Sequence, residues 1–216
     1  KIDEFMLFRS NLSGSLIKNV REINPNYFEK LIINKNNSIL EKKKVDKKFN
    51  WSHKSPNNNF DNFNDFFKRN ISRSLISDRE VGTQLSGGID SSLVSLIANK
   101  QCSMKSFSVI FDDPALSEID YINQVVSKGN LTNFKFKFDL DYFFSNFGKA
   151  TYHLDYPIIH PNSLGIYRIA DGASKHVSVL LSGEGADETL AGYPRYYLFQ
   201  SIYKKFFEMK FFFKNQ

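Results

Sequence analysis

Few folds can accommodate the stretch Val81-Gly82-Thr83-Gln84-Leu85-Ser86-Gly87-Gly88-Ile89-Asp90-Ser91-Ser92. The apolar run into the glycines reads as a strand, and Ile89, Leu93, Leu96 and Ile97 beyond them recur at helical spacing. A strand that turns through glycines into a helix start brings free backbone N–H groups and the positive end of a helix dipole to one spot. Ser86, Ser91 and Ser92 add hydroxyl donors, and Asp90 at the lip can hold the Mg²⁺ that accompanies a nucleotide. The stretch reads as an anion site. The alternative is an ordinary strand-to-helix turn capped by Ser or Asp.

The surrounding pattern alternates helix and strand. Phe63, Phe66, Phe67, Ile71 and Leu75 predict a helix, with Asp61 or Asn62 as its cap. Phe107, Val109 and Phe111 alternate as a strand. Ser117-Glu118 opens a helix bearing Ile119, Ile122, Val125 and Val126, which Gly129 closes. Phe134-Lys135-Phe136-Lys137-Phe138 alternates apolar and basic residues and predicts an edge or half-exposed strand. Further helices are expected over 142–152 and from 163 to about 175, the second capped by Asn162, and 177–181 reads as a central strand. Residues 196–213 suggest a core-facing helix, with a membrane-surface helix as the alternative.

The fold class that follows is α/β, a doubly wound, mostly parallel sheet with flanking helices. Ligands bind such sheets outside the carboxyl ends of the strands. A second glycine-containing loop, Ser182-Gly183-Glu184-Gly185-Ala186-Asp187-Glu188, also follows a strand, so both loops are expected on one edge. Hydroxyls dominate one loop and carboxylates the other, which suggests a nucleotide site beside an acid/base or metal site.

Residues 1–55 read differently. Leu31-Ile32-Ile33 followed by Asn34-Lys35-Asn36-Asn37-Ser38 predicts a hairpin, and 52–59 reads as a linker. The region is too short and polar for a large core, which suggests the tail of a preceding domain or a packing arm. Charge narrows the partners. The net +6 is scattered, and its densest run, Glu41-Lys42-Lys43-Lys44-Val45-Asp46-Lys47-Lys48, reads as a solvated linker or exposed face, so no nucleic-acid partner is expected. A single cysteine, Cys102, excludes an internal disulfide framework and a Cys-rich zinc site, and reads as a buried or incidental thiol. No apolar run is long enough to span a bilayer and no secretory leader is visible, so a cytoplasmic protein without a membrane partner is expected.

Ser86-Gly87-Gly88-Ile89-Asp90-Ser91 resembles the pyrophosphate loop of ATP pyrophosphatases. Leu181-Ser182-Gly183-Glu184-Gly185-Ala186-Asp187-Glu188, continued by Ala191-Gly192-Tyr193-Pro194-Arg195-Tyr196, resembles the second signature of the asparagine synthetase family. Ser106-Phe107-Ser108-Val109-Ile110-Phe111 is similar to that family's second strand, where backbone groups hold adenine. More weakly, Phe8-Arg9 through Phe28 resembles the end of the family's glutamine-hydrolysing domain.

The resemblance implies an adenine-nucleotide hydrolase-like domain over 56–216, preceded by the β tail of a glutamine amidotransferase domain and a linker over 1–55. It implies ATP and Mg²⁺, with aspartate and glutamine-derived ammonia as substrates. Aspartate would be adenylated with release of pyrophosphate, and ammonia would displace AMP. In that scheme Ser86, Gly87, Gly88 and Ser91 cradle the pyrophosphate, Ser182 and Gly183 also bind the nucleotide, and Val109 lies at the adenine. Asp90 and Asp155 would bind the metal. Glu184 would position or deprotonate the amine, and Asp187 would contact the amino acid or order its loop, helix capping being the alternative for Asp187 and Glu188.

Tyr156 stands where the family has glutamate, and His160-Pro161-Asn162-Ser163 where aspartate before Pro-Ser is common. Both keep open a related ligase for another carboxylate. His153 and His160 read as rim or satisfied polar residues. The family's later catalytic lysine has no counterpart and is expected beyond Gln216. The glutaminase domain and its nucleophilic cysteine are likewise expected outside this chain, which leaves a catalytically silent nucleotide-binding piece as a further alternative. A homodimer is an allowed assembly.

Overall fold

The computed structural model describes residues 2–9, 14–23, 27–33, 38–44, 60–198 and 201–203. The chain forms two compact units, Lys1–Asn58 and Asn59–Gln216. The first holds a short helix, α1 (Ile2–Phe8), and the strands β1 (Tyr27–Ile33) and β2 (Ser38–Lys44). The strands pair antiparallel from Tyr27↔Lys44 to Ile33↔Ser38, the hairpin expected from the sequence. Glu41 to Lys44, read as part of a linker or exposed face, belong to β2 and pair with Tyr27 to Lys30. Arg21 grips Glu29 through both guanidinium nitrogens, at 2.7 and 2.5 Å. No apolar side chain of this unit is buried among the described residues. The expected linker at 52–59 lies outside them.

The second unit runs α2 (Phe60–Ser74), β3 (Val81–Gln84), α3 (Ile89–Gln101), β4 (Lys105–Phe111), α4 (Ile119–Gly129), β5 (Thr132–Phe138), α5 (Leu140–Leu154), α6 (Asn162–Ala173), β6 (Val179–Leu181) and α7 (Ala186–Leu190). Its four strands form one parallel sheet in the order β5-β4-β3-β6. The chain steps from β3 through β4 to β5, then returns to the other side of β3. Each sheet face carries its own core. Ile71, Leu85, Val94, Ala98, Met104, Ile122 and Leu131 pack on the face covered by α2, α3 and α4. Phe107, Ile169, Ala173 and Val177 pack on the other face against α6, where Phe107 stacks on Phe134 at 5.3 Å. Helices on both faces of a parallel sheet make the doubly wound α/β arrangement.

Several local expectations are corrected. In α3, Leu96 and Ile97 of the apolar stripe pack half-buried against the core and Ser91, Ser92, Val94, Ser95 and Ala98 are buried, whereas Ile89 is 78% and Leu93 46% exposed. Small side chains let this helix approach the sheet, and its buried hydroxyls are satisfied by the sheet and by the helix's own start. Ser95 donates to Thr83 Oγ1 at 2.9 Å and Ser92 to the Gly88 carbonyl at 2.6 Å. α2 begins at Phe60, so Asp61 and Asn62 lie inside its first turn and do not cap it. Asn162 is likewise already helical, with Pro161 before it at φ −54° and no side-chain cap. Asn130, left-handed at φ 49°, closes α4. Gly129 is small for packing, since a Cβ there would fall 2.5 Å from Leu96 Cδ2.

β6 is a three-residue strand that lies at an outer position among the described strands, beside β3, and not at the central one expected, and Val179 is 37% exposed. β5 is the other outer strand, as its alternation predicts. Cys102 is exposed and not buried, its Sγ 3.4 Å from Met104 Sδ. Of the expected 196–213 helix, residues 196–198 and 201–203 are helical; Tyr197, Leu198, Ile202 and Tyr203 are exposed and not core-facing, and the rest falls outside the described residues. No helix among the described residues is long and apolar enough to cross a membrane.

Candidate functional site

β3 and β6 are neighbours, so the loops leaving their carboxyl ends, 86–91 and 182–188, meet where the strand order reverses. Open parallel sheets bind ligands at such a switch point. A cavity of about 200 Å³ lies between the loops. Ser86, Gly88, Asp90 and Ser91 form one wall with Gln84, and Ser182, Gly183, Glu184, Gly185 and Asp187 form the other. A larger depression of about 790 Å³, beside Phe63 and Phe66, is lined among the described residues by α2 alone.

The first loop is braced from within. Ser91 Oγ accepts the Ser86 N–H at 3.2 Å and lies 2.9 Å from Ser86 Oγ, which in turn accepts the Gly88 N–H at 3.3 Å. Gly87 makes the turn at φ 93°, and a Cβ there would also fall 3.0 Å from Tyr121 Cβ on α4. Gly88 precedes α3 in an extended conformation, and no side chain caps the helix. The first-turn N–H groups of α3 are therefore available to an anion.

The second loop packs directly on the first. A Cβ on Gly183 would lie 2.8 Å from the Ser91 nitrogen and 2.9 Å from Asp90 Cβ, so only glycine permits this approach. Ser182 Oγ accepts the Glu184 N–H at 3.4 Å. The N-cap position of α7 belongs to Gly185, with no side-chain cap, so neither Asp187 nor Glu188 caps that helix. The Asp187 carboxylate instead lies over the Cα of Gly192, whose N–H donates to the Asp187 carbonyl at 3.0 Å. Glu188 accepts the Tyr193 hydroxyl at 2.9 Å, which pushes that phenol above its ordinary pKa. The Arg195 guanidinium sits 4.0 Å from the centre of the Tyr193 ring.

Eight of the residues singled out from the sequence thus line one cleft: Ser86, Gly88, Asp90, Ser91, Ser182, Gly183, Glu184 and Asp187. Gly87 stands behind them in the turn. Val109 and Asp155 do not line it. Val109 is half-buried against the Phe107 core, and Asp155 is the exposed, left-handed residue that ends α5 at φ 52°. Among the described residues, no group of three or more His, Cys, Asp or Glu side chains is placed to hold a metal. Gln84 and Gly185 also line the cleft and were not singled out. The signal for Gln84 was its place as the last polar residue before the strand ends, and for Gly185 the tight Gly-x-Gly spacing.

A doubly wound α/β domain with a glycine- and hydroxyl-rich loop facing an acidic loop at its switch point has the arrangement in which parallel-sheet proteins bind ligands, nucleotides among them. The asparagine synthase family model matches residues 62–212, and the chain belongs to that family. It is 38% identical over 121 residues to asparagine synthetase [glutamine-hydrolyzing] 1 of Bacillus subtilis (strain 168), covering 56% of this chain and 19% of that protein. It is 30% identical over 138 residues to a putative asparagine synthetase [glutamine-hydrolyzing] of Mycobacterium bovis (strain ATCC BAA-935 / AF2122/97), covering 63% and 21%. The chain therefore spans about a fifth of the length of these curated relatives. Among solved structures, an NH3-dependent NAD synthetase from Campylobacter jejuni subsp. jejuni NCTC 11168, in complex with the nitrate ion, aligns with a TM-score of 0.43 and 18% identity over 62% of this chain and 60% of that one.

Proposed function

We propose that this chain carries the adenylating site of an asparagine-forming, ATP-dependent ligase. The aspartate side-chain carboxylate attacks the α-phosphorus of ATP, giving β-aspartyl-AMP and pyrophosphate. Ammonia derived from glutamine then displaces AMP. The observation that carries this reading is the meeting of loops 86–91 and 182–188 across one cleft, with amide and hydroxyl donors on one wall and carboxylates on the other. At about 200 Å³ the cleft is smaller than the roughly 300–1,000 Å³ of sites that enclose a whole ligand. It suits the polyphosphate end of a nucleotide, with the base lying outside it toward the backbone of Val109.

In this reading Ser86, Gly87, Gly88 and Ser91 hold the leaving pyrophosphate, and Ser182 and Gly183 close the opposite wall. Pre-aimed donors of this kind stabilise charge that grows in the transition state. Asp90 is the carboxylate within loop 86–91 and fits Mg²⁺, which takes one or two protein carboxylates and completes its shell with phosphate oxygens and water. Bound there, the metal would offset phosphate charge. Asp155 as a second ligand rests on its sequence position alone. Glu184 orients or deprotonates the attacking amine. The seat of Asp187 over Gly192 favours its loop-ordering role. Residues 1–55 fit the tail of a glutamine-hydrolysing domain that supplies the ammonia, and a cytoplasmic homodimer is the matching assembly.

The test is exchange of labelled pyrophosphate into ATP by the full-length protein, with aspartate or other carboxylates. Aspartate-dependent exchange is expected. Exchange with a different carboxylate only would overturn the substrate assignment in favour of a related ligase, the reading that Tyr156 and His160 keep open. Asp90→Asn should weaken Mg-ATP binding sharply. Glu184→Gln should leave ATP affinity near that of the parent and slow product formation. Equal loss of ATP affinity in both variants would refute this division of roles.

A further inference from the structure

Behind the cleft, a row of polar side chains runs through the sheet. Thr83, Ser106 and Asn133 are in register on β3, β4 and β5, with Ser108 two residues further along β4. Thr83, Ser106 and Ser108 are fully buried. Hydroxyls are placed at such positions only when they are satisfied, and here the Asn133 amide donates to both serines, at 3.0 Å each. The serines then diverge. Ser106 donates to the Thr132 carbonyl at 3.2 Å, away from the cleft, whereas Ser108 donates to the Leu85 carbonyl at 2.6 Å. Leu85 is the residue immediately before Ser86.

The Ser108 bond replaces a backbone bond. The β3–β4 ladder ends as the Leu85 N–H donates to the Phe107 carbonyl at 2.8 Å. In a parallel ladder, the next bond would run from the Val109 N–H to the Leu85 carbonyl. The Ser108 hydroxyl occupies that carbonyl instead. The root of the loop stays fixed while the main-chain groups of Val109 are released from β3.

We propose that Ser108, held in orientation by Asn133, is a positioning residue for nucleotide binding. Its hydroxyl pins the Leu85 carbonyl so that loop 86–91 leaves the sheet at a fixed angle and the Val109 backbone stays free to meet the base. The proposal rests on the ATP-binding reading above. Four variants of the full-length protein test it, each assayed for Mg-ATP affinity by calorimetry and for thermal stability. Ser108→Ala should weaken Mg-ATP binding about tenfold, on the scale of one structured hydrogen bond. Ser106→Ala, which removes a hydroxyl from the same network but not from the loop root, should lower stability similarly and change affinity less than about twofold. Ser108→Thr keeps a hydroxyl and should restore most of the affinity. Asn133→Ser, which releases Ser108 without deleting it, should weaken binding by about threefold and serves if Ser108→Ala does not fold. An unchanged affinity in Ser108→Ala, or in Asn133→Ser where that variant stands in, would overturn the proposal, as would equal affinity losses in the two serine-to-alanine variants. If the parent protein itself fails to bind Mg-ATP, the ATP reading falls and this inference with it.

Discussion

Gly183 shows how much of the cleft depends on a missing side chain. Its φ lies outside the left-handed region, so an alanine there would meet no backbone penalty. The obstacle is contact: the new methyl would sit 2.8 Å from the Ser91 nitrogen and 2.9 Å from Asp90 Cβ, both in the loop wall. The two loops would have to part. Gly183→Ala is therefore expected to reduce Mg-ATP affinity at least about tenfold, or roughly 1.4 kcal/mol, while leaving the far-UV circular dichroism spectrum unchanged. Calorimetric titration checks this, and near-parental affinity would show that the loops are not in register contact. Asp139 supports a different prediction. The Tyr142 N–H donates to its carboxylate at 2.8 Å and, despite opposing desolvation and with help from Lys137, holds its pKa below the ordinary value. A carboxylate whose pKa is lowered by folding adds stability above its unfolded pKa of about 4 and loses it as pH falls through the folded value. Asp139→Asn retains an N-cap acceptor but cannot titrate. The stability gap between parent and variant, read from urea midpoints, should be constant above about pH 5 and narrow steadily below about pH 4.

At the scale of elements, α3 separates what hydrophobic periodicity reports from what packing requires. Of the stripe Ile89, Leu93, Leu96 and Ile97, Leu96 and Ile97 pack half-buried against the core and Ile89 and Leu93 stay exposed, while Ser91, Val94, Ser95 and Ala98 are the buried residues. A scale that counts apolar character overlooks serines whose hydroxyls are satisfied across the interface. α4 was legible because Ile122, Val125 and Val126 are apolar and lie on its core side. β6 was legible as a strand but not in its place, since an apolar run fits a central strand and a short outer one equally well. The Ser95–Thr83 pair makes the distinction measurable. Both residues are fully buried and bonded at 2.9 Å. Ser95→Ala and Thr83→Val should each cost about 1–2 kcal/mol by stranding one polar partner. The double variant, with neither hydroxyl, should cost clearly less than the sum. Additive losses in chemical denaturation would mean that the bond does not hold α3 to the sheet.

For the molecule as a whole, the two loops could be read separately because glycines, hydroxyls and carboxylates at a strand end are local features. Their meeting was legible only through the rule that parallel strands share a carboxyl edge, and the structure realises it by returning β6 to the side of β3. Asp155 lacked such a local rule. Its metal role followed from chain order within a resemblance, and its place at the exposed end of α5 is set by the end of a helix, which chain order does not encode. Charge adds a constraint that neither loop reveals alone. The chain carries a net +6, yet the described residues lining the cleft include Asp90, Glu184 and Asp187 and no cationic side chain. A polyphosphate bearing several negative charges would meet carboxylates there with only neutral donors to oppose them, and scattered surface lysines are screened over about 10 Å. As far as the described residues go, counter-charge is expected to arrive with the ligand. Removing divalent cations with EDTA is expected to lower ATP affinity at least about a hundredfold, roughly 2.7 kcal/mol. Asp90→Asn should lose most of that metal dependence, whereas Glu184→Gln should retain it. ATP binding that is as tight in EDTA as in Mg²⁺ would mean that cations from outside the described residues complete the cleft, and that Asp90 is not the residue through which the phosphate charge is balanced.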